Sequence, residues 1–599
     1  MKPVLSAICL LLSAVPALAQ GTDPPSSTAQ APPRVTADVV VTATLLPAGA
    51  AETGRSLFSM TREDLERMGI SSIVEGLRLV PGVDPRARGP RDVQTDFSIR
   101  GATFGQTLVL FDGLRLNDSQ SGHHNGDIPI PLAAIERIEV VAGSGSSVHG
   151  ADALGGVINV IPRSDPHRIL DVSTGEHGLF AAQGSIGGDI LPKNWTLTGW
   201  FNRSSGFTFD REFTIGGAAG RGALVHGLVV DARHQRKAFG ADQFYGNSPS
   251  KEWTDQTLGS GTWTAASRGW VTSTRAAYRN HGDHFRWDIN RPGFAENRHR
   301  TNAIEGHFLA SHSLTANGGT VAVGGSAGGD WIASSNLGDH AFSRMAVFAE
   351  AAVPLGTRAT ARGGVRVDHF SDFGSSTSPT GSVVIRVTDE FTVRGSASRG
   401  FRVPSFTELY YHDPANQGSP DLRPEHGWTL DGGAEWARGP WVVSVSPFRR
   451  WDDDVIDWVK DAPADLWRST NVRDVTSTGF ETFVIRRWGS AFVRVHYAGL
   501  KVEAPDLTQL SKYVLEYARH QSGGSLTVPV VAGFRAAVNV DHRHRLDGQE
   551  YDLVGFRLSK GFTRGEIYFD VANAFDETYH EVAGVTMPGR WMSIGFRLR

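Results

Sequence analysis

The chain has 599 residues, a formal net charge of −4, and contents of 40% hydrophobic and 20% charged residues. This length exceeds one ordinary soluble core, and the nearly balanced charge provides no basic surface field, so we expect no nucleic-acid partner. Beyond the N-terminus no apolar run reaches the roughly 20 residues that a membrane-spanning helix needs, whereas a transmembrane β-barrel has this modest hydropathy because half of each strand faces a polar lumen.

Residues 1–19 are typical of a secretory signal peptide. Val4 to Leu12 form most of an apolar core, and Ala17-Leu18-Ala19 is a small-residue cleavage site. The only cysteine, Cys9, lies inside this segment. The mature chain therefore offers no thiol for a disulfide, a metal site or a nucleophile.

A flexible tether and a short extended segment are predicted next. Residues 20–37 are polar and proline-rich, and such a composition cannot bury enough apolar surface to become ordered. Residues 38–44 are rich in β-branched side chains, and an extended segment beside a tether can add as a strand to the exposed sheet edge of a partner. The other interpretation is the first strand of the following domain; the position behind the tether favours docking.

Residues 45–166 are predicted to form a small mixed α/β domain. Thr61 to Gly69 has a threonine N-cap, acidic residues in the first turn and a glycine stop, which indicates a short helix. Residues Ser72 to Val80 predict a second helix. Thr107 to Phe111 and Ile135 to Val141 predict strands.

From residue 167 to residue 599 the hydrophobic period becomes two, which is typical of strands. Val365 and Val367 alternate with Arg366 and Asp368, so one face is apolar and the other is charged. A charged face suits a wet lumen better than the interior of a soluble sandwich. At roughly 20 residues per strand and turn, about 430 residues give about 22 antiparallel strands, and we predict a membrane all-β barrel that holds the preceding domain inside its lumen.

Several motifs together resemble those of the TonB-dependent outer-membrane receptor family, closest to its cobalamin-receptor-like branch. The motifs are Ile99-Arg100-Gly101, Leu110 to Arg115, Ile135 to Val141, Gly400 to Tyr410 with Ser419 to Glu425, and Phe569 to Asp576 with Tyr579. The resemblance spans nearly the whole chain. One departure is the terminal Arg599, where the family usually has an aromatic residue; Phe596 is the candidate substitute in assembly.

The resemblance implies a location, partners and a mechanism. Residues 45–166 would be a plug inside a barrel in the outer membrane of a Gram-negative bacterium. The segment 38–44 would be the TonB box, which docks to the C-terminal domain of TonB in the periplasm. The docking residues would be Asp38, Val39, Val40, Val41, Thr42 and Ala43. We expect a monomer that contacts lipid and lipopolysaccharide, with no enzymatic activity and no cofactor.

Charged plug residues are expected to contact the barrel wall. Arg100, Glu136, Arg137 and Glu139 lie in a domain that must sit in a polar lumen. Wet ionic contacts yield to a modest pull, whereas a dry apolar interface resists it.

The ligand, a small molecule or a metal chelate, is expected at the outer plug loops, Arg86 to Thr95 and Asn117 to Asp127. The candidate side chains are Arg88, Arg91, Asn117, His123 and His124. The adjacent histidines could bind haem or a metal ion, and the sequence does not specify the identity of that metal. Structural calcium in extracellular loops would involve Asp242, Asp255 and Asp283, although their spacing matches no known calcium loop.

The function expected from the resemblance is energy-coupled import of a scarce, large, cobalamin-like substrate by displacement of the plug. A ferric-siderophore or haem receptor of the same family is the first alternative. A passive pore is the second, and the docking segment argues against it. A barrel enzyme is the third, but no Ser/His/Asp spacing supports one.

Overall fold

The computed structural model describes residues 44–46, 49, 52–192, 194–246, 248–314 and 318–599. The predicted signal peptide, the tether and the docking residues Asp38 to Ala43 lie outside the described residues. No helix in these described ranges combines the length and the hydropathy needed to cross a membrane.

The N-terminal part is a small α/β domain, which we call the plug. Its strands are β1 (Ser56–Thr61), β2 (Val83–Ala87), β3 (Thr95–Ile99), β4 (Thr107–Phe111), β5 (Leu114–Arg115), β6 (Ile135–Ala142) and β7 (Gly156–Pro162). Its helices are α1 (Arg62–Met68), α2 (Ile73–Arg78) and α3 (Ser146–His149), with 3-10 turns at Phe104–Gln106, Gly122–His124 and Leu132–Ala134. The strand order β1-β6-β7-β4-β5 makes one sheet, and β2 and β3 form a separate hairpin.

Local sequence signals account for the plug elements. The Thr61 hydroxyl accepts a hydrogen bond from the Asp64 amide at 3.2 Å, and the Asp64 carboxylate accepts one from the Thr61 amide, which caps α1. Gly69 ends α1 in the left-handed conformation with φ 70°. Asp112 and Gly113 both have positive φ, 50° and 79°, which gives the tight hairpin turn between β4 and β5. Both predicted helices are confirmed.

The rest of the chain is dominated by long strands. They are β8 (Ile169–Gly175), β9 (Leu179–Gly187), β10 (Thr196–Ser204), β11 (Phe213–Val225), β12 (Leu228–Gly240), β13 (Lys251–Ser267), β14 (Trp270–Arg286), β15 (Glu296–Leu314), β16 (Gly319–Ser334), β17 (His340–Leu355), β18 (Ala359–Phe370), β19 (Gly374–Arg386), β20 (Phe391–Arg402), β21 (Asn416–Gln417), β22 (Glu425–Arg438), β23 (Trp441–Asp453), β24 (Val455–Lys460), β25 (Trp467–Val472), β26 (Val475–Trp488), β27 (Ala491–Glu503), β28 (Leu510–Ser511), β29 (Ala518–Pro529), β30 (Phe534–Arg545), β31 (Glu550–Phe562), β32 (Gly565–Ala572) and β33 (Trp591–Leu598). A short helix, α4 (Phe406–Tyr410), and 3-10 turns at Gly188–Ile190 and Val531–Gly533 lie between strands.

These strands close into an antiparallel barrel. In the described part of the chain 22 strands take part, and β33 pairs with β8 to complete the circle, with Phe596 opposite Val172. The short strands β21, β25, β24 and β28 form a separate sheet in the loops. The predicted fold, a barrel of about 22 strands with an N-terminal plug, is confirmed.

The alternation along each strand separates a lipid face from a lumen face. Val365 and Val367 of β18 are 42% and 40% exposed. Their neighbours on the other face, Arg366 and Asp368, are buried. Trp428 and Trp436 also point outward from β22. The charged side chains therefore line the interior, where the plug covers them.

The two ends of the barrel differ in the length of their connections. Turns such as 225–228 and 267–270 are short, whereas 402–425, 453–475 and 572–591 are long. In outer-membrane barrels the short turns face the periplasm and the long loops face the outside. The long-loop end is therefore the extracellular end.

A charge on the lipid face should destabilise the barrel. We expect Val365→Arg, near the middle of β18, to lower the free energy of unfolding by about 2 to 4 kcal/mol, because the guanidinium would face hydrocarbon. The same change at Val387, in a short periplasmic turn, should cost about 1 kcal/mol or less. Denaturant titration of both variants in phospholipid bilayers measures this difference, and equal losses would contradict the assigned lipid face.

Candidate ligand-binding and coupling site

Two plug loops lie at the extracellular end of the lumen. These loops, residues 88–94 and 116–127, are called the plug apex below. A guanidinium nitrogen of Arg86, just before the first loop, lies 2.5 Å from a carboxylate oxygen of Glu516 in the long loop after β27. Gln94 donates to the Tyr245 hydroxyl at 2.7 Å in the long loop after β12. The apex therefore forms the floor of the extracellular opening.

One half of the apex is organised around Asp96. Arg88 donates to its carboxylate at 2.9 Å, and Nδ1 of His123 lies 2.9 Å from the other oxygen. Burial opposes the charge on Asp96, but Arg88 and His123 outweigh it and hold the pKa of Asp96 below its usual range. The His123 ring stacks on Phe104 with centroids 4.5 Å apart, and Tyr513 lies at its edge.

The adjacent histidine turns to the barrel wall. Nε2 of His124 lies 3.4 Å from Oδ2 of Asp283 in β14, and Gln120 donates to the same oxygen at 2.8 Å. Burial disfavours a charge on His124, yet its carboxylate neighbours outweigh burial and raise the pKa of His124 to about 10. Two neighbours in sequence thus have different partners and different exposure.

The predicted ligand residues differ in their access to the opening. Arg88, Asn117 and His124 are buried, while Arg91 and His123 are half-buried. Asn117 accepts a hydrogen bond from the Val109 amide at 2.8 Å and donates to the Thr107 carbonyl at 3.1 Å, so it shapes the loop from within. Arg91 and His123 are therefore the more exposed members of the set.

Arg100, which lies in one of the plug motifs, makes a buried ion-pair contact with the barrel wall. Its guanidinium donates to both carboxylate oxygens of Glu481 at 2.7 Å and also pairs with Asp431. It lies over the Phe448 ring at 4.1 Å. Since β22, β23 and β26 are neighbours, one plug residue engages three adjacent strands of the wall.

The other predicted polar residues have partners within the plug. Arg62 lies 3.8 Å from Glu136, and Arg137 donates to Glu139 at 2.7 Å. These contacts stabilise α1 and β6 within the plug.

Further plug–barrel contacts were not predicted from the sequence. Asp84 accepts from Arg545 at 3.2 Å, a guanidinium nitrogen of Arg78 lies 2.5 Å from Glu581, and Gln106 donates to Glu425 at 2.6 Å. All three plug side chains are polar or charged groups in a domain expected inside a lumen, which is the one sequence signal that points to them. The barrel partners lie in β22, in β30 and in the loop between β32 and β33, far along the chain, so no local pattern identifies them.

Asp255 and Asp283, two of the three aspartates named as possible calcium ligands, have separate environments. Asp255 pairs with Arg300 at 2.7 Å, whereas Asp283 points to the plug. In the β13–β14 register Asp255 is opposite Gly282, so the next residue, Asp283, faces the other side of the sheet. These two aspartates therefore do not share a cation.

Two family models cover most of the chain. The model "TonB-dependent Receptor Plug Domain" matches residues 50–157, and "TonB dependent receptor-like, beta-barrel" matches residues 182–591. These ranges contain the plug and most of the barrel described above.

Similar proteins have been named as transporters and as an iron-regulated protein. A vitamin B12 transporter BtuB of Vibrio vulnificus (strain YJ016) is 24% identical over 588 residues, 90% of this chain and 91% of that protein. An iron-regulated outer membrane virulence protein of Vibrio cholerae is 28% identical over 413 residues, 62% of this chain and 61% of that protein.

Solved structures share the fold at low identity. The siderophore receptor PirA from Acinetobacter baumannii has a TM-score of 0.73 at 15% identity, with 91% of this chain and 98% of that chain covered. A mutant of the ferric enterobactin receptor PfeA from Pseudomonas aeruginosa has a TM-score of 0.72 at 15% identity, with the same coverage.

Loss of Arg100 should loosen the plug. We expect Arg100→Ala to lower the free energy of plug unfolding by about 3 to 5 kcal/mol, because it leaves two buried carboxylates without their cation. Arg62→Ala is the control, since its ion pairs are long and partly exposed and should contribute about 1 kcal/mol or less. Native-state proteolysis of the plug in detergent measures both, and similar losses would contradict the anchoring role.

Proposed function

The chain belongs to the TonB-dependent receptor family of the bacterial outer membrane, and we propose that it imports a scarce, large, cobalamin-like ligand. In this proposal the ligand binds at the extracellular opening, and TonB-coupled displacement of the plug admits it to the periplasm. The function is transport and not catalysis. The receptor acts as a monomer whose outer wall contacts lipid and lipopolysaccharide.

The observation that carries the proposal is the way the plug is held. The plug sits in the lumen, and Arg78, Asp84 and Arg100 connect it to the wall through ion pairs. Buried ion pairs add little net stability compared with a well-packed apolar contact, but they specify one seated position. When the plug shifts, water can solvate the separated charges. This solvation lowers the free energy that a mechanical pull must supply to displace the plug. This arrangement favours a gated importer over a passive pore.

Cobalamin is favoured as the cargo by the relatives of this chain. The vitamin B12 transporter of Vibrio vulnificus aligns over 90% of the chain. A ferric siderophore or haem is the alternative, which the 28% identity to the iron-regulated outer membrane protein supports.

We assign the first contacts with the cargo to Arg91 and His123. Both are accessible at the apex, and His123 stands beside the aromatic rings of Phe104 and Tyr513. A flat or macrocyclic ligand can stack on such rings. Arg88 and Asn117 support this surface from below.

A proline in the docking segment should uncouple transport from binding. We expect Val40→Pro to abolish accumulation of labelled cyanocobalamin while leaving its affinity unchanged, because proline removes a backbone donor that strand addition to TonB requires. Ser27→Pro, within the proline-rich tether, is the matched control and should transport normally. Normal uptake by the Val40 variant would contradict the docking role.

Direct binding should identify the cargo. Purified receptor in detergent is titrated with cyanocobalamin, a ferric catecholate siderophore and haem. We expect the tightest binding for cyanocobalamin and a weaker affinity in His123→Ala. Tighter binding of the siderophore or haem would replace cobalamin by that ligand within the same transport mechanism.

A further inference from the structure

We infer that a group of five buried side chains at the plug–barrel boundary binds one divalent transition-metal ion of the Zn²⁺ class. The group, called the His124 cluster, consists of His124, Asp127, Glu252, His281 and Asp283. The first two belong to the plug apex, and the other three belong to β13 and β14. This inference does not depend on which cargo the receptor carries.

The distances within the cluster suit a metal ion. His124, Asp127 and His281 form one set of possible ligands, and His124, Glu252 and Asp283 form another; the ligand atoms of each set lie within 4.8 Å of one another. Ligand atoms of a tetrahedral zinc ion are about 3.3 to 3.6 Å apart, given bonds of about 2.0 to 2.2 Å. Nε2 of His124 is already 3.4 Å from Oδ2 of Asp283, and Nε2 of His281 is 3.2 Å from Oδ2 of Asp127. Small side-chain rotations would complete either set around His124.

Lysine and arginine pair with only some of the carboxylates around the cluster. Asp127 pairs with Lys237 at 2.8 Å, and Asp118 of the apex pairs with Arg279 at 2.8 Å. Glu252 and Asp283 have neither lysine nor arginine within ion-pair distance among the described residues. A metal ion binds an imidazole through a ring nitrogen that carries no proton, so it would replace a proton on His124 and would then face the carboxylates of Glu252 and Asp283. A divalent cation supplies the matching two positive charges.

An unpaired oxygen gives a second, independent indication. Asp283 is only 7% exposed, and its Oδ1 atom is buried without a hydrogen-bond partner in the described structure, while Oδ2 contacts His124 and Gln120. Buried carboxylate oxygens normally have a donor or a cation beside them. This oxygen is thus available as a ligand next to the shared histidine.

The donor types select the class of metal. Two imidazoles with carboxylates suit zinc and similar transition metals, whereas calcium and magnesium prefer all-oxygen shells. Because the ligands come from both the plug and the wall, a bound ion would cross-link the apex to β13 and β14. Displacement of the plug would then have to break these coordination bonds.

Metal titration of the untagged full chain in detergent tests the inference. After treatment with a chelator, we expect isothermal titration with Zn²⁺ to show one ion per chain and the temperature of unfolding to rise, since the ion stabilises the seated plug. His124→Ala should weaken Zn²⁺ binding by at least about tenfold. His312→Ala is the control, because its ring contacts the Gly269 carbonyl at the periplasmic end of the barrel, and it should bind Zn²⁺ as the unmodified chain does.

Asp283→Asn provides a near-isosteric second variant that keeps the shape of the site if His124→Ala fails to fold; it should also weaken Zn²⁺ binding. Absence of Zn²⁺ binding in the unmodified chain would overturn the inference and leave protonated imidazoles as the balancing charges. If the His124 and Asp283 variants both bind Zn²⁺ as tightly as the unmodified chain, the ion is an adventitious ion only and the inference is overturned. Tighter binding of Ca²⁺ than of Zn²⁺ would overturn the assigned metal class.

Discussion

The structure depends on the need to satisfy every backbone N–H and C=O group inside a membrane. Strands achieve this only when the sheet has no edge, and the pairing of β33 with β8 removes the edge here. A circle of 22 strands encloses a lumen too wide for its own side chains to fill. The plug occupies that space. Its surface must therefore match a wall whose inward positions are polar and charged, as Arg366 and Asp368 illustrate.

Polar matching gives the plug a specific seat, beside apolar contacts such as that of Phe58 with Phe483 of the wall. Arg100 is the centre of this arrangement, since it joins Asp431, Glu481 and the Phe448 ring on three neighbouring strands. A bidentate guanidinium contact demands one orientation, so it determines how the plug is rotated in the barrel. Once the plug is displaced, water can hydrogen-bond to the guanidinium and to the carboxylates that it leaves. A fixed resting position and a reversible movement thus arise from one kind of interaction.

The apex shows how neighbouring residues acquire different roles. His123 joins Asp96 and an aromatic surface that faces the extracellular opening, whereas His124 joins carboxylates of the barrel wall. The separation follows from the 3-10 turn Gly122–His124, which points successive side chains in different directions. Recognition of cargo and attachment to the wall are therefore adjacent in sequence but separate in space.

The sequence by itself determined the local elements and the overall class. The Thr61 cap, the Asp112-Gly113 turn and the period-two alternation in β18 are short-range signals, because each depends on steric and solvation preferences of residues close in the chain. The motifs also singled out Arg100. Only the tertiary structure decided its partner Glu481, 381 residues away, and the different surroundings of His123 and His124. Many barrel strands offer inward charges, so the pairs are selected by strand register and plug rotation, which no local pattern encodes.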